Sequence, residues 1–128
     1  SGLKDAQKYL LLPRATAKCN PCWFGFILTV KRNSNLSRDD IVTNLEENNI
    51  QARFLFSGNL IKHPCFNAMR KNRIGYRVIG ELKNTDYVMR NTFWVGVYPG
   101  MSKIMLNFIV VHESYFWPML VIKLKIIN

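Results

Sequence analysis

The sequence predicts an α+β domain in which helices pack on a small antiparallel sheet of about three strands, and three observations support this fold class. Three short runs, residues 23–30, 51–56 and 92–98, are rich in the aromatic and β-branched residues typical of strands. Two longer segments, residues 38–48 and 102–116, carry apolar residues at helical spacing. A chain of 128 residues, 48% of them hydrophobic, can bury one core and is too short for two ordinary domains.

The strands are predicted from their boundaries as well as from their composition. The first run, WFGFILTV, lies between Pro21 and a polar turn and is too short for a typical helix. The second run, QARFLF, follows Asn48 and Asn49, two residues that tolerate left-handed geometry at a helix end. The third run, TFWVGVY, ends at the turn formed by Pro99 and Gly100. Residues 1–18, whose apolar run stops at a proline, predict only a lead-in segment.

The helices are predicted from cap residues followed by apolar stripes. Ser37 can accept hydrogen bonds from the free amides of a first turn, Asp40 stands at the capping-box position, and an apolar stripe follows. Ser102 is placed in the same way before the helix at 102–116. Pro64 suits the first turn of a short helix. The weaker elements are an extended segment or short strand at 76–82, a brief helix capped by Asn84 or Thr85, and a short helix ending near Lys71.

Charge points to no specific partner. The 18 lysines and arginines against 8 acidic residues give a formal charge of +10, which attracts anions. The basic residues are scattered and form neither an arginine-rich helix nor an aromatic-basic repeat, so a solvated surface is predicted and a nucleic-acid partner is not.

The number and spacing of the cysteines favour a protein of the reducing cytoplasm, and they favour free thiols over a metal site. The three cysteines are an odd number, and no secretory signal opens the sequence. Cys19 and Cys22 have the spacing of half a zinc site, but only Cys65, His63 and His112 could supply the missing ligands. Spectator thiols are therefore the favoured interpretation.

The last twelve residues, 117–128, form a separate hydrophobic and basic tail in this prediction, after a domain at 1–116. Pro118 ends the preceding helix, and the nine apolar and basic residues that follow fall far short of the roughly 20 needed to span a membrane. An edge strand and a partner-binding segment both remain open for the tail.

The best candidate site is the segment from Arg53 to Asn59, because the sequence contains no glycine-rich phosphate loop and no hydrolytic triad. Strand alternation predicts Arg53 and Leu55 on one face and Phe54 and Phe56 on the other. A guanidinium offers paired donors to a phosphate or carboxylate, and Asn59 at a small-residue turn can bond a sugar hydroxyl. The alternative is that Arg53 pairs with a surface acid and Asn59 only shapes the turn.

Five sequence blocks resemble a known group of enzymes in both order and spacing. The blocks are PCWFGF at 21–26, RFLFSGNL at 53–60, YRVIG at 76–80, NTD at 84–86 and TFWVGVYPG at 92–100. They are similar to the C-terminal region of the sugar-nucleotide 3-dehydrases that act on CDP-4-dehydro-6-deoxyglucose in lipopolysaccharide biosynthesis. These enzymes fall within the DegT/DnrJ/EryC/StrS aminotransferase-like family, and the resemblance covers residues 12–116.

The resemblance implies a fold-type-I vitamin-B6 enzyme in which a large N-terminal domain holds the cofactor and this small domain closes over the active site. In such dehydrases the pyridoxamine phosphate form condenses with a 4-keto sugar nucleotide, and a histidine of the large domain replaces the aminotransferase lysine. Some members also carry an iron–sulfur cluster there, and the complete enzymes are homodimers.

The resemblance also assigns roles within this chain. It implies that Arg53, Phe56 and Asn59 line the sugar-nucleotide side of the cleft, while Trp23 and Trp94 are core strand residues. It implies that catalytic, cofactor-binding and metal-binding residues lie in the N-terminal domain, so that the chain alone is inactive. Two alternatives stay open: the C-terminal domain of a sugar-nucleotide aminotransferase, and a freestanding binding module without catalysis. The sequence departs from the family pattern at two residues and in the tail, namely at Cys22, at His63 and after residue 116.

Overall fold

A computed structural model of the chain describes residues 6–110, and it confirms the predicted α+β class. The strands are β1 (Leu10–Leu11), β2 (Gly25–Val30), β3 (Ala52–Phe54) and β4 (Thr92–Gly96). They form one antiparallel sheet in the order β1–β2–β4–β3, so that β1 and β3 are the edges of this sheet.

The three predicted strands are present and are shorter than predicted, whereas β1 lies in the segment predicted as a lead-in. Leu10 pairs with Val30 and Leu11 with Thr29, so this strand extends the sheet beyond β2. A two-residue strand is too short to show a period of two, and only its pairing identifies it. Leu10 is nonetheless fully buried, which makes the lead-in part of the core.

The predicted helices are largely confirmed. Helix α1 spans Arg38–Glu47, and the Ser37 hydroxyl accepts a 3.2 Å hydrogen bond from the Asp39 amide as its N-cap. Helix α4 occupies residues 103–110, and the Met105 amide donates to the Ser102 hydroxyl at 3.2 Å. The remainder of the predicted helix at 102–116 and the tail at 117–128 lie outside the described residues.

The region between β3 and β4 departs from prediction in three places. The single helix predicted from Pro64 is a 3-10 turn followed by α2 (Asn67–Asn72), and α3 spans Lys83–Asn91 with Leu82, not Asn84 or Thr85, at its N-cap. Residues 76–82 lie outside the sheet and form no strand, since Gly75 and Gly80 have positive φ and residues 71–80 are all exposed.

The core lies between one face of the sheet and α1. Strand register places Leu28 opposite Phe93 and Phe26 opposite Val95, and these side chains share a face. Phe93 and Leu28 are fully buried there, together with Ile41 and Leu45 of α1. The other sheet face is open in part within residues 6–110: Thr92 is buried on it, but Ile27 is 40% exposed, and the exposed part carries the candidate site. No helix in this part of the chain is long and apolar enough to cross a membrane.

Candidate functional site

The open face of the sheet carries a cluster of three aromatic rings, here called the open-face cluster: Phe24, Phe56 and Trp94. The Trp94 ring lies 5.3 Å from Phe24 and 6.0 Å from Phe56, centroid to centroid. Phe24 is 76% exposed and Phe56 is 67% exposed, so water still reaches most of both rings. An aromatic surface of this kind is typical of a binding or docking face.

Gly25 allows the Trp94 indole to lie flat against the sheet. A Cβ atom at Gly25 would come within 2.5 Å of Trp94 Cε3, closer than any ordinary carbon contact. The Trp94 Nε1 atom is buried and has no hydrogen-bond partner within the described residues. The indole is therefore fixed in place with one polar group still to be satisfied.

The two tryptophans predicted as core strand residues are not core residues. Trp23 precedes β2 and is 39% exposed, and it lines a cavity of about 200 Å³ with Phe24 and Phe56. Trp94 does lie on a central strand, but its side chain points to the open face, opposite the side occupied by Phe93 and Val95. An aromatic run in a strand does not reveal which of its residues faces the helices.

Arg53 lies on the open face next to Trp94, its register partner across β3 and β4. The side chain is exposed, and within residues 6–110 it forms no ion pair and no hydrogen bond. The alternative in which Arg53 pairs with a surface acid is thus not observed among these residues. The guanidinium is available for an anionic ligand.

Phe56 joins Arg53 on the open face, contrary to the predicted alternation. Strand β3 ends at Phe54, and the chain then turns so that the Phe56 ring contacts Trp94. The Phe54 side chain lies on the opposite face of the sheet, as predicted, where the Arg38 guanidinium stacks 3.9 Å from the centroid of its ring. The prediction failed because alternation holds only while the strand continues.

A larger cavity of about 500 Å³ adjoins this surface. Arg53, Trp94 and Tyr98 line it together with Gln51 and the apolar side of α4. Trp94 belongs to both cavities, so it lies at the centre of the candidate site. Within the described range 6–110 the arrangement offers aromatic rings and one free cation, Arg53, which suits a ligand that carries both an anion and a ring.

Asn59 is brought near the same strand end, but its side chain is buried. The residue is 2% exposed, and its Nδ2 atom donates to Asp86 Oδ1 at 2.7 Å. Lys62 Nζ lies 2.6 Å from Asp86 Oδ2. Hydrogen bonds from Lys62 and then from Asn59 hold the pKa of Asp86 below its ordinary value. Asn59 therefore shapes the turn, and its predicted contact with a sugar hydroxyl stays a prediction.

Two features of the site were not assigned from the sequence. Phe24 and Asp86 both belong to blocks that carry the family resemblance, but neither was given a role. The sequence signal that could have indicated this site is Gly25, between Phe24 and Phe26, because a residue without a side chain leaves room for an aromatic ring to pack on strand β2. Asp86 gave no local signal, because its partners Asn59 and Lys62 lie 27 and 24 residues away.

Metal-ligand chemistry finds little support in the described part of the chain. Cys19, Cys22 and Cys65 are free thiols and are exposed. Across residues 6–110 no group of three or more histidine, cysteine, aspartate or glutamate side chains is placed to hold a metal ion. His112, considered above as a ligand, lies outside this range.

Comparison with known proteins places these features in a family. Residues 1–111 match the sequence profile of the DegT/DnrJ/EryC1/StrS aminotransferase family, which confirms the resemblance. The chain is 45% identical over 109 residues to the lipopolysaccharide biosynthesis protein RfbH of Salmonella typhimurium, covering 85% of this chain and 24% of that protein. It is 44% identical over 101 residues to dTDP-4-dehydro-2,6-dideoxy-D-glucose 3-dehydratase of Saccharopolyspora spinosa, covering 79% and 21%.

Solved structures give the same result for the fold. The structure of GDP-4-keto-6-deoxy-D-mannose-3-dehydratase from E. coli with bound hydrated pyridoxal phosphate (PLP) aligns with a TM-score of 0.66 at 26% identity. The alignment covers 88% of this chain and 26% of that enzyme. The chain thus spans about a quarter of the length of the relatives it matches.

The residues of the open face do not by themselves fit a PLP cofactor. Among residues 6–110, no lysine, histidine or carboxylate lines either cavity. PLP enzymes use a carboxylate or arginine partner for the pyridine nitrogen and a lysine or its replacement at the reacting carbon. Arg53 and the open-face cluster can instead bind and orient a ligand held against them.

Proposed function

This chain belongs to the DegT/DnrJ/EryC1/StrS aminotransferase family, and we propose that it is the small C-terminal domain of a PLP-dependent sugar-nucleotide 3-dehydrase. In this role it completes the substrate cleft of an enzyme that removes the C3 hydroxyl of a 4-keto-6-deoxy sugar nucleotide, in lipopolysaccharide or other deoxysugar biosynthesis. The observation that carries the proposal is the open sheet face, where Arg53, which has no partner among residues 6–110, adjoins an aromatic cluster in a chain 45% identical to RfbH.

The open-face cluster supports the proposal that a further domain of the enzyme packs on this face. Its rings leave a large apolar surface in water, and burying such surface stabilises a protein by about 25 cal/mol per Å². The buried Trp94 Nε1 donor also needs an acceptor that residues 6–110 do not supply. A cofactor-binding N-terminal domain, corresponding to the three-quarters of the relatives outside the match, would provide both.

Arg53 and Phe56 are the residues proposed to contact the substrate. The Arg53 guanidinium would bind the diphosphate of the sugar nucleotide with paired, charge-assisted hydrogen bonds. The Phe56 ring would pack against the sugar or base and exclude water from it. Asn59 would hold the turn that follows Phe56, and it would reach a sugar hydroxyl only if its bond to Asp86 opened.

The cofactor and the chemical step belong to the proposed N-terminal domain. Bound there, PLP or its pyridoxamine form supplies an electron sink for C3 deoxygenation. Any iron–sulfur cluster would be held there as well. The whole enzyme is proposed to be a cytoplasmic homodimer, and this chain alone to be inactive.

A graft tests the proposal. Residues 1–111 of this chain replace the matching segment of the Salmonella relative, and turnover of its 4-keto-6-deoxy sugar nucleotide is measured. We expect the graft to retain turnover and the isolated 128-residue chain to bind no PLP in an absorbance titration. An inactive but folded and PLP-loaded graft, or stoichiometric PLP binding by the isolated chain, would refute the assignment.

A sugar-nucleotide aminotransferase is the second candidate, since the family profile itself is named for aminotransferases. The two differ at the residue that faces the cofactor in the N-terminal domain, histidine in the dehydrases and lysine in the aminotransferases. Reading that residue in the coding sequence ahead of this chain separates them. A freestanding binding module, the remaining alternative, predicts that no such coding sequence exists.

A further inference from the structure

The turn at the end of β3 holds one residue, Ser57, in a backbone conformation that this residue type does not favour. Ser57 and Gly58 both have positive φ, 59° and 55°. Left-handed geometry is open to glycine but disfavoured for serine, so an external contact is needed to hold Ser57 there. The turn immediately follows Phe56 and therefore sets where the Phe56 ring lies.

Helix α3 supplies contacts that hold this turn, and the His63 ring, whose Nε2 atom contacts the Ser57 carbonyl oxygen, supplies another. The buried Asn59 side chain donates to Asp86 at 2.7 Å, and the Asn59 amide lies 3.2 Å from Met89 Sδ. Gly58 packs so closely on the Met89 side chain that a Cβ atom there would collide with it. Asp86 and Met89 lie three residues apart on α3, so they are neighbours on one side of the helix. The helix therefore contacts the 57–59 segment through two side chains.

Lys62 completes the contact from the other side. Its ammonium lies 2.6 Å from the second oxygen of Asp86, so the carboxylate accepts from Asn59 with one oxygen and from Lys62 with the other. Arg90 is the other charged group that acts on Asp86, from the same helix. Both cations favour the ionised carboxylate, which is the form that can accept two donors.

We propose that Asp86 is a positioning residue for the substrate-facing turn: through the buried amide of Asn59 it fixes Ser57 and Gly58, and with them the Phe56 ring beside Trp94. Asp86 itself would not touch the substrate. Its effect on substrate binding rests on the proposed function, whereas its effect on the turn does not.

The first test uses the 128-residue chain. Hydrogen exchange of the Asn59 side-chain amide and the chemical shift of the Gly58 amide are followed by NMR in Asp86→Ala, Asp86→Asn and Asp40→Asn. Asp40 is the matched control, because it lies in the first turn of α1 as Asp86 lies in that of α3, but its carboxylate is exposed.

Asp86→Ala is expected to speed exchange of the Asn59 amide at least about tenfold, since the exchange rate follows the free energy of local opening. Asp86→Asn should give a smaller effect, because an amide can accept from Asn59 but then faces the Lys62 ammonium with a donor. Asp40→Asn should change neither signal. Wild-type exchange and shifts in folded Asp86→Ala would overturn the proposal.

The second test measures KM and kcat in the graft. Asp86→Ala should raise KM for the sugar nucleotide about tenfold and leave kcat within about twofold, and Asp86→Asn should recover part of the loss. The reason is that a displaced Phe56 ring weakens substrate binding but does not contact the reacting atoms. A changed turn with an unchanged KM would overturn the link to the substrate. A graft that is inactive before any substitution counts against the proposed function alone, since the NMR result is independent of it.

Discussion

The placement of Trp94 depends on the missing side chain at Gly25, and Gly25→Ala perturbs it directly. The added Cβ would lie 2.5 Å from Trp94 Cε3 and 3.1 Å from both Cδ2 and Cζ3. Carbon contacts are favourable at about 3.5–4.0 Å, so the indole must move by about 1 Å or β2 and β4 must separate. Overpacking of this kind costs about 1–3 kcal/mol.

Gly96→Ala is the matched control, because Gly96 is the register partner of Gly25 and a Cβ there meets no atom within 4 Å. Both substitutions reduce the entropy of the unfolded chain equally, so the difference between them isolates the collision with the indole. Urea unfolding followed by far-UV circular dichroism should place Gly25→Ala about 1–3 kcal/mol below Gly96→Ala in free energy of unfolding. Equal stabilities would refute the described placement of the indole.

Two further predictions concern the core and the Asp86 carboxylate. Phe93→Ala should lower the free energy of unfolding by about 3–5 kcal/mol, because Phe93 is fully buried. Ile79→Ala, at an exposed position, should change it by less than about 0.5 kcal/mol in the same urea assay. Similar losses in the two variants would contradict the described core. The pKa of Asp86 is lowered by its bonds to Lys62 and Asn59. The stabilisation that the ionised Asp86 carboxylate gives to the folded state is therefore complete above the unfolded-state pKa of about 3.9, and it is lost as the pH falls through the lower folded-state pKa. The stability difference between wild type and Asp86→Asn should therefore be constant from about pH 7 to pH 5 and shrink below about pH 4; a difference that grows on acidification would contradict this sign.

Much of the fold followed from local sequence signals. Ser37 and Ser102 cap their helices as predicted, because a cap requires only a hydroxyl and the amides two or three residues later. The three longer strands were found from composition, with ends that extended one to two residues too far. Strand β1 was missed because its two residues acquire strand geometry only by pairing with Val30 and Thr29.

The site was less predictable, because its arrangement depends on contacts between distant segments. Arg53 was predicted from its chemistry to bind an anion, with pairing to a surface acid as the alternative, and the structure leaves it unpaired among residues 6–110. Asn59 was predicted to bond a sugar hydroxyl or only to shape the turn, but its burial against Asp86, 27 residues away on α3, could not be predicted from local sequence. The outward direction of Trp94 follows from the register between β2 and β4, which no local pattern specifies.

The effect of Arg53→Ala on kcat/KM in the graft tests the central claim most directly, with Arg14→Ala as the control. Arg14 is also exposed but follows β1, at the opposite edge of the sheet from β3. A charge-assisted hydrogen bond contributes about 1.5–3 kcal/mol, so Arg53→Ala should lower kcat/KM for the sugar nucleotide roughly 10- to 100-fold while Arg14→Ala leaves it within about twofold. Equal values for the two variants would contradict the assignment of the open sheet face to the substrate cleft.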